Sequence, residues 1–373
     1  YTWKVVPSPN VGTFQNQLGS VAALSPGDAW AVGTSSNGNI QQSNVVTSAL
    51  IEHWNGTQWS VVQSPKPANG DYGLEGVAAI SSNDAWTVGY SWDKQVQQTL
   101  IEHWDGKQWS IVQSPKPLFD QSDLSSIASA SANDIWAVGY TLDHKSNAAK
   151  TLIEHWDGNR WSIVSSPNGS LAENILYNVA IVSANDIWAI GYSSNSGYYD
   201  SGNLILIEHW NGQQWSVVSS PNLAGANEQI LSGLSAISSN NIWAVGFSTS
   251  ANDPGETKTF IEHWNGSQWS IVNSPNPGIG GNQLNDVVAR SANDVWAVGY
   301  SPRSRYPGQE ALALVEHWNG KQWSVVKKTD FGADSNILYA IAQIPHSGEL
   351  WVVGTVEVST FSASRTLIEL YSA

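Results

Sequence analysis

The 373-residue chain carries a net charge of −15, with 13% charged residues, 21 Trp, no Cys and no Met. That composition excludes disulfides, thiolate nucleophiles and thiolate metal sites, and it offers no basic surface for nucleic acid or an anionic membrane. No apolar run approaches the roughly 20 residues that a membrane helix needs, so neither nucleic-acid binding nor membrane insertion is expected. A chain free of oxidisable sulfur and rich in Ser, Asn, Gly and Gln suits an extracellular or cell-surface life. Its start at Tyr1, directly in a strand-like segment, fits removal of a leader.

Tyr1–Asn10 contains Trp3-Lys4-Val5-Val6-Pro7-Ser8-Pro9-Asn10, which matches Trp59-Ser60-Val61-Val62-Gln63-Ser64-Pro65 further on. Next come Leu18-x-x-Val21, Asp28-Ala29-Trp30-Ala31-Val32-Gly33, a variable stretch, and Leu50-Ile51-Glu52-His53-Trp54 leading through Asn55-Gly56 to Trp59. Short β-branched and aromatic segments between turn residues read as four antiparallel strands per repeat, A to D. Strand A starts at Leu18, Leu74, Leu124, Leu176, Leu231, Leu284 and Leu338. Strand B carries Trp30, Trp86, Trp136, Trp188, Trp243, Trp296 and Trp351, and strand D carries Trp3, Trp59, Trp109, Trp161, Trp215, Trp269 and Trp323. The last repeat ends at strand C, and its missing strand D stands at the other end of the chain.

The expected fold is therefore all-β: a single seven-bladed β-propeller, with blades at 18–63, 74–113, 124–165, 176–219, 231–273, 284–327 and 338–373. Residues 1–6 complete the last blade and close the ring, leaving no unpaired seam. Alternation along strand B puts Trp30 and Val32 on one face and Ala31 and Gly33 on the other, so a bulky face can nest on the small face of the next blade.

The repeated Glu-His pair invites a metal or catalytic reading. Adjacent strand residues point to opposite faces, and histidines spaced one per blade on a strand away from the axis cannot share an ion. The pair is expected to make buried structural hydrogen bonds, with an indole N–H, a serine such as Ser60, or backbone as partner. No metal and no cofactor is expected. Asp330-Phe331-Gly332 lacks the other kinase signatures, and Gly278-x-Gly280-Gly281 lacks the strand-to-helix setting of a phosphate loop.

The A–B and C–D turns share one rim and are uniform; the B–C and D–A connections share the other and vary. Irregular loops gathered on a rigid scaffold are the expected functional face. Its non-repeated residues are the candidate ligand-binding set: Trp92, Tyr198, Tyr199, Asp200, Arg303, Arg305 and Tyr306 on B–C loops, with His144 on another. Glu75, Tyr177, Asn285 and Tyr339 are expected near the mouth of the central channel, beside Asp286. Trp92, the one Trp outside the repeat positions, is the expected stacking platform for a sugar or a partner side chain. Arg290 is the odd residue of strand A and is expected to mark a special spot in the channel.

Ser-x-Asn-Asp-Ile/Val-Trp-Ala-Val-Gly followed by Glu-His-Trp-Asn/Asp-Gly-x-x-Trp resembles the repeat of secreted bacterial seven-bladed β-propeller proteins. A looser likeness, in the Trp-Asp-Gly-x-x-Trp hairpin, links it to bacterial seven-bladed propeller lectins. These resemblances imply a secreted scaffold, with sugar sites between blades if the lectin likeness extends to function. The leading expectation is a binding or scaffolding propeller without chemistry of its own, with a glycan or an extracellular protein as partner. Two alternatives stand beside it. One is a glycan hydrolase or lyase with a pocket at the channel mouth, using Glu75 and Asp286 as acid and base. The other is a structural subunit of a surface layer or filament. Nothing in the repeat specifies an oligomeric state.

Overall fold

A computed structural model describes residues 2–39, 45–67, 70–93, 96–117, 119–143, 145–146, 148–195, 203–250, 252–303, 310–326, 335–358 and 363–372. These residues form 28 strands and no helix, hence none long and apolar enough to cross a membrane. β1 is Thr2–Val5. Blade 1 is β2 (Gln15–Ser25), β3 (Asp28–Ser36), β4 (Thr47–Trp54) and β5 (Trp59–Val61). Blade 2 is β6 (Tyr72–Ser81), β7 (Asp84–Asp93), β8 (Val96–Trp104) and β9 (Trp109–Ile111). Blade 3 is β10 (Gln121–Ser131), β11 (Asp134–Asp143), β12 (Ala148–Trp156) and β13 (Trp161–Ile163). Blade 4 is β14 (Glu173–Ser183), β15 (Asp186–Ser194), β16 (Leu204–Trp210) and β17 (Trp215–Val217). Blade 5 is β18 (Ala226–Ser238), β19 (Asn241–Ser250), β20 (Asp253–Trp264) and β21 (Trp269–Val272). Blade 6 is β22 (Gln283–Ser291), β23 (Asp294–Pro302), β24 (Ala311–Trp318) and β25 (Trp323–Val325). Blade 7 is β26 (Ser335–Gln343), β27 (Leu350–Val358) and β28 (Ala363–Ser372), with β1 antiparallel to β28 in the register Trp3 to Tyr371.

The result is seven four-stranded antiparallel sheets. The A strands form the inner wall, each packed on the A strands of both neighbouring blades, from β2 round through β26 and back to β2. This is the expected seven-bladed propeller, closed by the first strand.

An aromatic ladder runs between the blades. Trp30 of blade 1 meets Trp104 and Trp109 of blade 2 at 5.0 and 5.1 Å. The same contact recurs at every joint, and at the last Trp351 meets Trp54 and Trp59 of blade 1. In blade 7 Tyr371 and Trp3 take the receiving positions and meet Trp296 at 4.5 and 6.4 Å.

The Glu-His pair is structural, by a route the sequence did not suggest. Each Glu is buried and accepts a hydrogen bond from the Ser of the Ser-Pro connection entering its blade, not from a Ser60-type residue. Ser8 donates to Glu52 at 2.7 Å, Ser64 to Glu102 at 2.8 Å and Ser220 to Glu262 at 2.6 Å. Ser8 and Ser114 also bond Thr366 and Thr99 of the blade they leave, so the hydroxyl ties two blades together. Each His stacks on the strand-B Trp of its own blade and bonds the Asp of the A–B turn, as His155 does with Trp136 at 4.2 Å and Asp134 at 2.8 Å. In blade 5 Asn241 replaces the Asp. Arg290 belongs to this scaffold rather than to the loop-side channel: it pairs with Asp294, the partner of His317, at 3.4 Å beside the A–B turn.

Every A strand carries a bulge after its leucine, as between Leu124 and Ser126. The glycine opposite that leucine is a steric requirement: a Cβ on Gly139 would lie inside van der Waals contact of the Asp123 carbonyl oxygen, whereas a Cβ on Gly19 meets nothing within 4 Å. Gly139→Ala is accordingly expected to lose about 1–3 kcal/mol in urea unfolding, with Gly19→Ala close to wild type. Equal midpoints for the two variants would refute the assignment.

Candidate functional site

The channel opens on the variable rim into a mouth of about 440 Å³ lined from all seven blades. The first residues of the A strands and the last of the B strands converge there because both precede or follow the loops of that rim. Glu75, Tyr177, Asn285 and Tyr339 all line it, as the sequence predicted, together with Gln17, Tyr90, Phe247 and Gln283. A hydrogen-bonded chain sets the amide orientations: the Tyr300 hydroxyl donates to Gln283 Oε1, Gln283 Nε2 to Asn285 Oδ1, and Asn285 Nδ2 to the Leu338 carbonyl at 2.7 Å.

Asp286 does not pair with Glu75. Its carboxylate accepts the backbone N–H of Val287 at 2.8 Å and of Ile341, in blade 7, at 2.9 Å. Burial nonetheless pushes its carboxyl up to about 7, against the pull of those two donors. It joins blades 6 and 7 and is occupied in doing so. The carboxyl that acts on Glu75 is Asp123, at the start of β10 in the next blade. Burial, then the Asp123 charge, holds Glu75 well above the usual carboxylate range. Asp123 is itself raised to about 7 by burial, opposed by hydrogen bonds from the Gln97 amide and the Leu124 N–H. Asp123 is 4% exposed, and its Oδ1 lacks a well-formed hydrogen bond. Tyr90 and Tyr140 stand beside the pair; burial first, and then these two carboxylates, push both phenols above their ordinary range.

Asp123, Gln97, Tyr90 and Tyr140 escaped the sequence reading, although two of them left a signal. The residue after the strand-B glycine is aromatic in five blades (Tyr90, Tyr140, Tyr192, Phe247, Tyr300) and Thr34 or Thr355 in the others. Read as a register position, that is a partial aromatic collar at the mouth. The residue before the strand-A leucine is an acid only at Asp123.

The loop residues fare differently. Trp92 is a strand residue at the end of β7, paired with Gln97 in β8, and only partly exposed. Its backbone N–H donates to the Asp71 carbonyl at 2.7 Å. The exposed platform expected there is thus a half-buried hairpin residue. Arg303 is exposed and bonds Glu310 at 3.3 Å across the mouth of its own loop. Tyr198, Tyr199, Asp200, Arg305, Tyr306 and His144 lie outside the described residues. Among the described residues no three His, Asp or Glu gather as metal ligands. A second concavity, about 640 Å³, lies on blade 2 against its exit connection, between Val96, Thr99, Pro115 and Phe119. Its lining is more apolar than that of the mouth, although Gln98, Thr99, Lys116 and Asp120 also line it.

No protein-family model and no curated protein matches the sequence. Solved structures match the fold. One described as YCF48 bound to D1 peptide has a TM-score of 0.58 at 13% identity, over 100% of this chain and 98% of that one. A GH74 xyloglucanase from Xanthomonas campestris has a TM-score of 0.57 at 13% identity, over 98% of this chain and 55% of that one, so the chain spans about half its length. The polysaccharide lyase Uly1 has a TM-score of 0.54 at 9% identity, over 95% and 89%. At such identities the likeness is one of fold.

Proposed function

We propose that this chain is an extracellular or cell-surface recognition propeller that binds a glycan at the loop-side mouth of its channel. The observation that carries the reading is the mouth itself, where the rings of Tyr90, Tyr177 and Tyr339 stand among the fixed amides of Gln283 and Asn285. Ring faces stack on sugar C–H surfaces, and pre-oriented amides and carboxyls match ring hydroxyls without a large ordering cost. Propellers of the same fold that bind a peptide or act on polysaccharides support a ligand of extended polymer type. The repeat's likeness to secreted bacterial propellers supports the extracellular placement.

A glycan array followed by calorimetry tests the proposal. Tyr177→Ala and Tyr339→Ala are each expected to weaken a bound glycan about 10- to 100-fold, the effect of losing about 1.4–2.7 kcal/mol at an anchoring ring. No binding to any glycan, or affinity untouched by both variants, would remove it. One observation favours a second reading, catalysis on the glycan. Glu75 meets the cavity with a raised pKa and a second carboxyl behind it, the arrangement of a general acid. Product formation by wild type that Glu75→Gln abolishes, with binding retained, would establish that reading.

A further inference from the structure

We infer that the mouth receives a protonated amine, carried by an amino-sugar glycan, with Glu75 and Asp123 as its counter-charges and Tyr90 as the ring beside it. The inference rests on the glycan-binding reading above and names the chemical class of the ligand.

Four observations lead to it. Among the described residues Glu75 is the sole charged one lining the mouth, and no described Lys, Arg or His stands with it. Behind it Asp123 is 4% exposed, with Oδ2 held by the Gln97 amide, and apart from the adjoining Leu124 N–H no donor among the described residues serves its carboxylate, so Oδ1 lacks a well-formed hydrogen bond. A buried carboxylate oxygen without a well-formed hydrogen bond is costly, and two neighbouring carboxylates cannot both ionise without a counter-ion. Among the described residues the groups facing the pair bring no cation: Tyr90 from β7, Tyr140 from β11 and the Gln97 amide from β8, while Gln17 and Gly19 are the lining residues of β2. Finally, the Tyr90 ring lies against Gly73, where a Cβ would come within 2.9 Å of its hydroxyl oxygen, and shares the field of both carboxylates. An aromatic ring together with uncompensated carboxylates is the environment that favours an ammonium group, and a chain of net charge −15 attracts cations toward it.

Without a ligand the pair retains a proton, because burial raises both carboxyls and the Asp123 charge raises Glu75 further. An incoming ammonium takes over the role of that proton, forms charge-assisted hydrogen bonds to the pair and releases the proton to solvent. The remaining lining, with Ser125, Ser232, Gln17, Gln283 and Asn285, is suited to hydroxyls rather than to an apolar peptide side chain. That is why the amine is assigned to a sugar and not to lysine.

The test is calorimetry at pH 6, in two buffers of different ionisation heat, with a glucosamine oligomer, its N-acetylated counterpart and an oligolysine peptide. The free-amine oligomer is expected to bind at least about ten-fold tighter than the acetylated one, a difference of about 1.4 kcal/mol, with release of close to one proton. Asp123→Asn and, independently, Glu75→Gln are expected to abolish the proton release and the preference, with thermal midpoints confirming that both variants fold. Equal binding of acetylated and free-amine oligomers would overturn the inference while leaving glycan binding intact. So would capture of oligolysine without either sugar, or a preference that persists in both variants. Failure of every glycan on the array would instead overturn the reading on which it rests.

Discussion

Deleting residues 2–6 is expected to abolish cooperative folding of the ring. β1 supplies the outer strand of blade 7, and its Trp3 packs against Tyr371 at 4.9 Å and Trp296 at 6.4 Å. Without it the backbone edge of β28 is open along Ile368–Ser372, and blade 7 presents an unpaired strand next to exposed aromatic rings. Such an edge is a template for association with another chain. The milder variant Trp3→Ala keeps the strand and removes the ring, and should lose less than the ~3–5 kcal/mol of truncating a fully buried aromatic, because Trp3 is only partly buried. Thermal unfolding followed by circular dichroism, with light scattering, reads both variants. A deletion variant that unfolds cooperatively at the wild-type midpoint and stays monomeric would show that the closure contributes nothing.

The second large effect expected is a loss of stability as pH rises from 5 to 8. Burial, opposed by the serine hydroxyls, pushes Glu52, Glu208 and Glu262 up to about 7, and Glu102, Glu154 and Glu316 up to about 8. The sign follows from proton counts. In this window the folded chain holds protons that the unfolded chain, with ordinary carboxyls near 4.5, has released. Stability is therefore fully present below the unfolded value and lost as pH climbs through the folded ones, at about 1.4 kcal/mol for each unit of elevation at one site. Asp105 and Asp157 run the other way: N–H donors of their turns lower both carboxyls, and that contribution fades as pH falls below the usual Asp range. The optimum should lie near pH 4–5, with a thermal midpoint at pH 8 lower by at least about 10 °C. Glu102→Gln keeps an acceptor for Ser64 and removes one titration, so it should melt above wild type at pH 8 and with it at pH 5. A midpoint that is flat or rises between pH 5 and 8 would contradict this account.

How far such properties were legible varies from residue to residue. The spacing Leu18-x-x-Val21 was a visible sign of the bulge. Two residues three apart both face the core, at 0% and 8% exposure, only because the strand carries an extra residue between them. The same bulge undermines simple alternation for Asn285 and Asp286, which explains why Asp286 was expected beside Glu75 and is found bonded to blade 7 instead. The Glu-His pair was correctly set aside as structural from strand alternation and from the spacing of its histidines at one per blade. Its partners were not foreseen, since the serine comes from the connection of the preceding blade and the aspartate from a turn some two dozen residues away. Trp92 was marked out by being unrepeated, but whether it is exposed depends on how far the β7–β8 hairpin extends.

By itself the sequence determined the architecture: four strands per repeat, seven repeats, and a first strand that fits only the last blade. These follow from local periodicity and from the need of each bulky blade face for a small-residue face to cover it, and both are written along the chain. It also determined that the variable rim would carry the mouth, and that Glu75, Tyr177 and Tyr339 would be near it. The tertiary structure alone decided that Glu75 lies in the field of Asp123. The two belong to different blades, and the distance between blades and the tilt of their inner strands arise from closing the ring. Electrostatic coupling and burial at the mouth depend on that closure, because neither residue has an unusual neighbour in sequence.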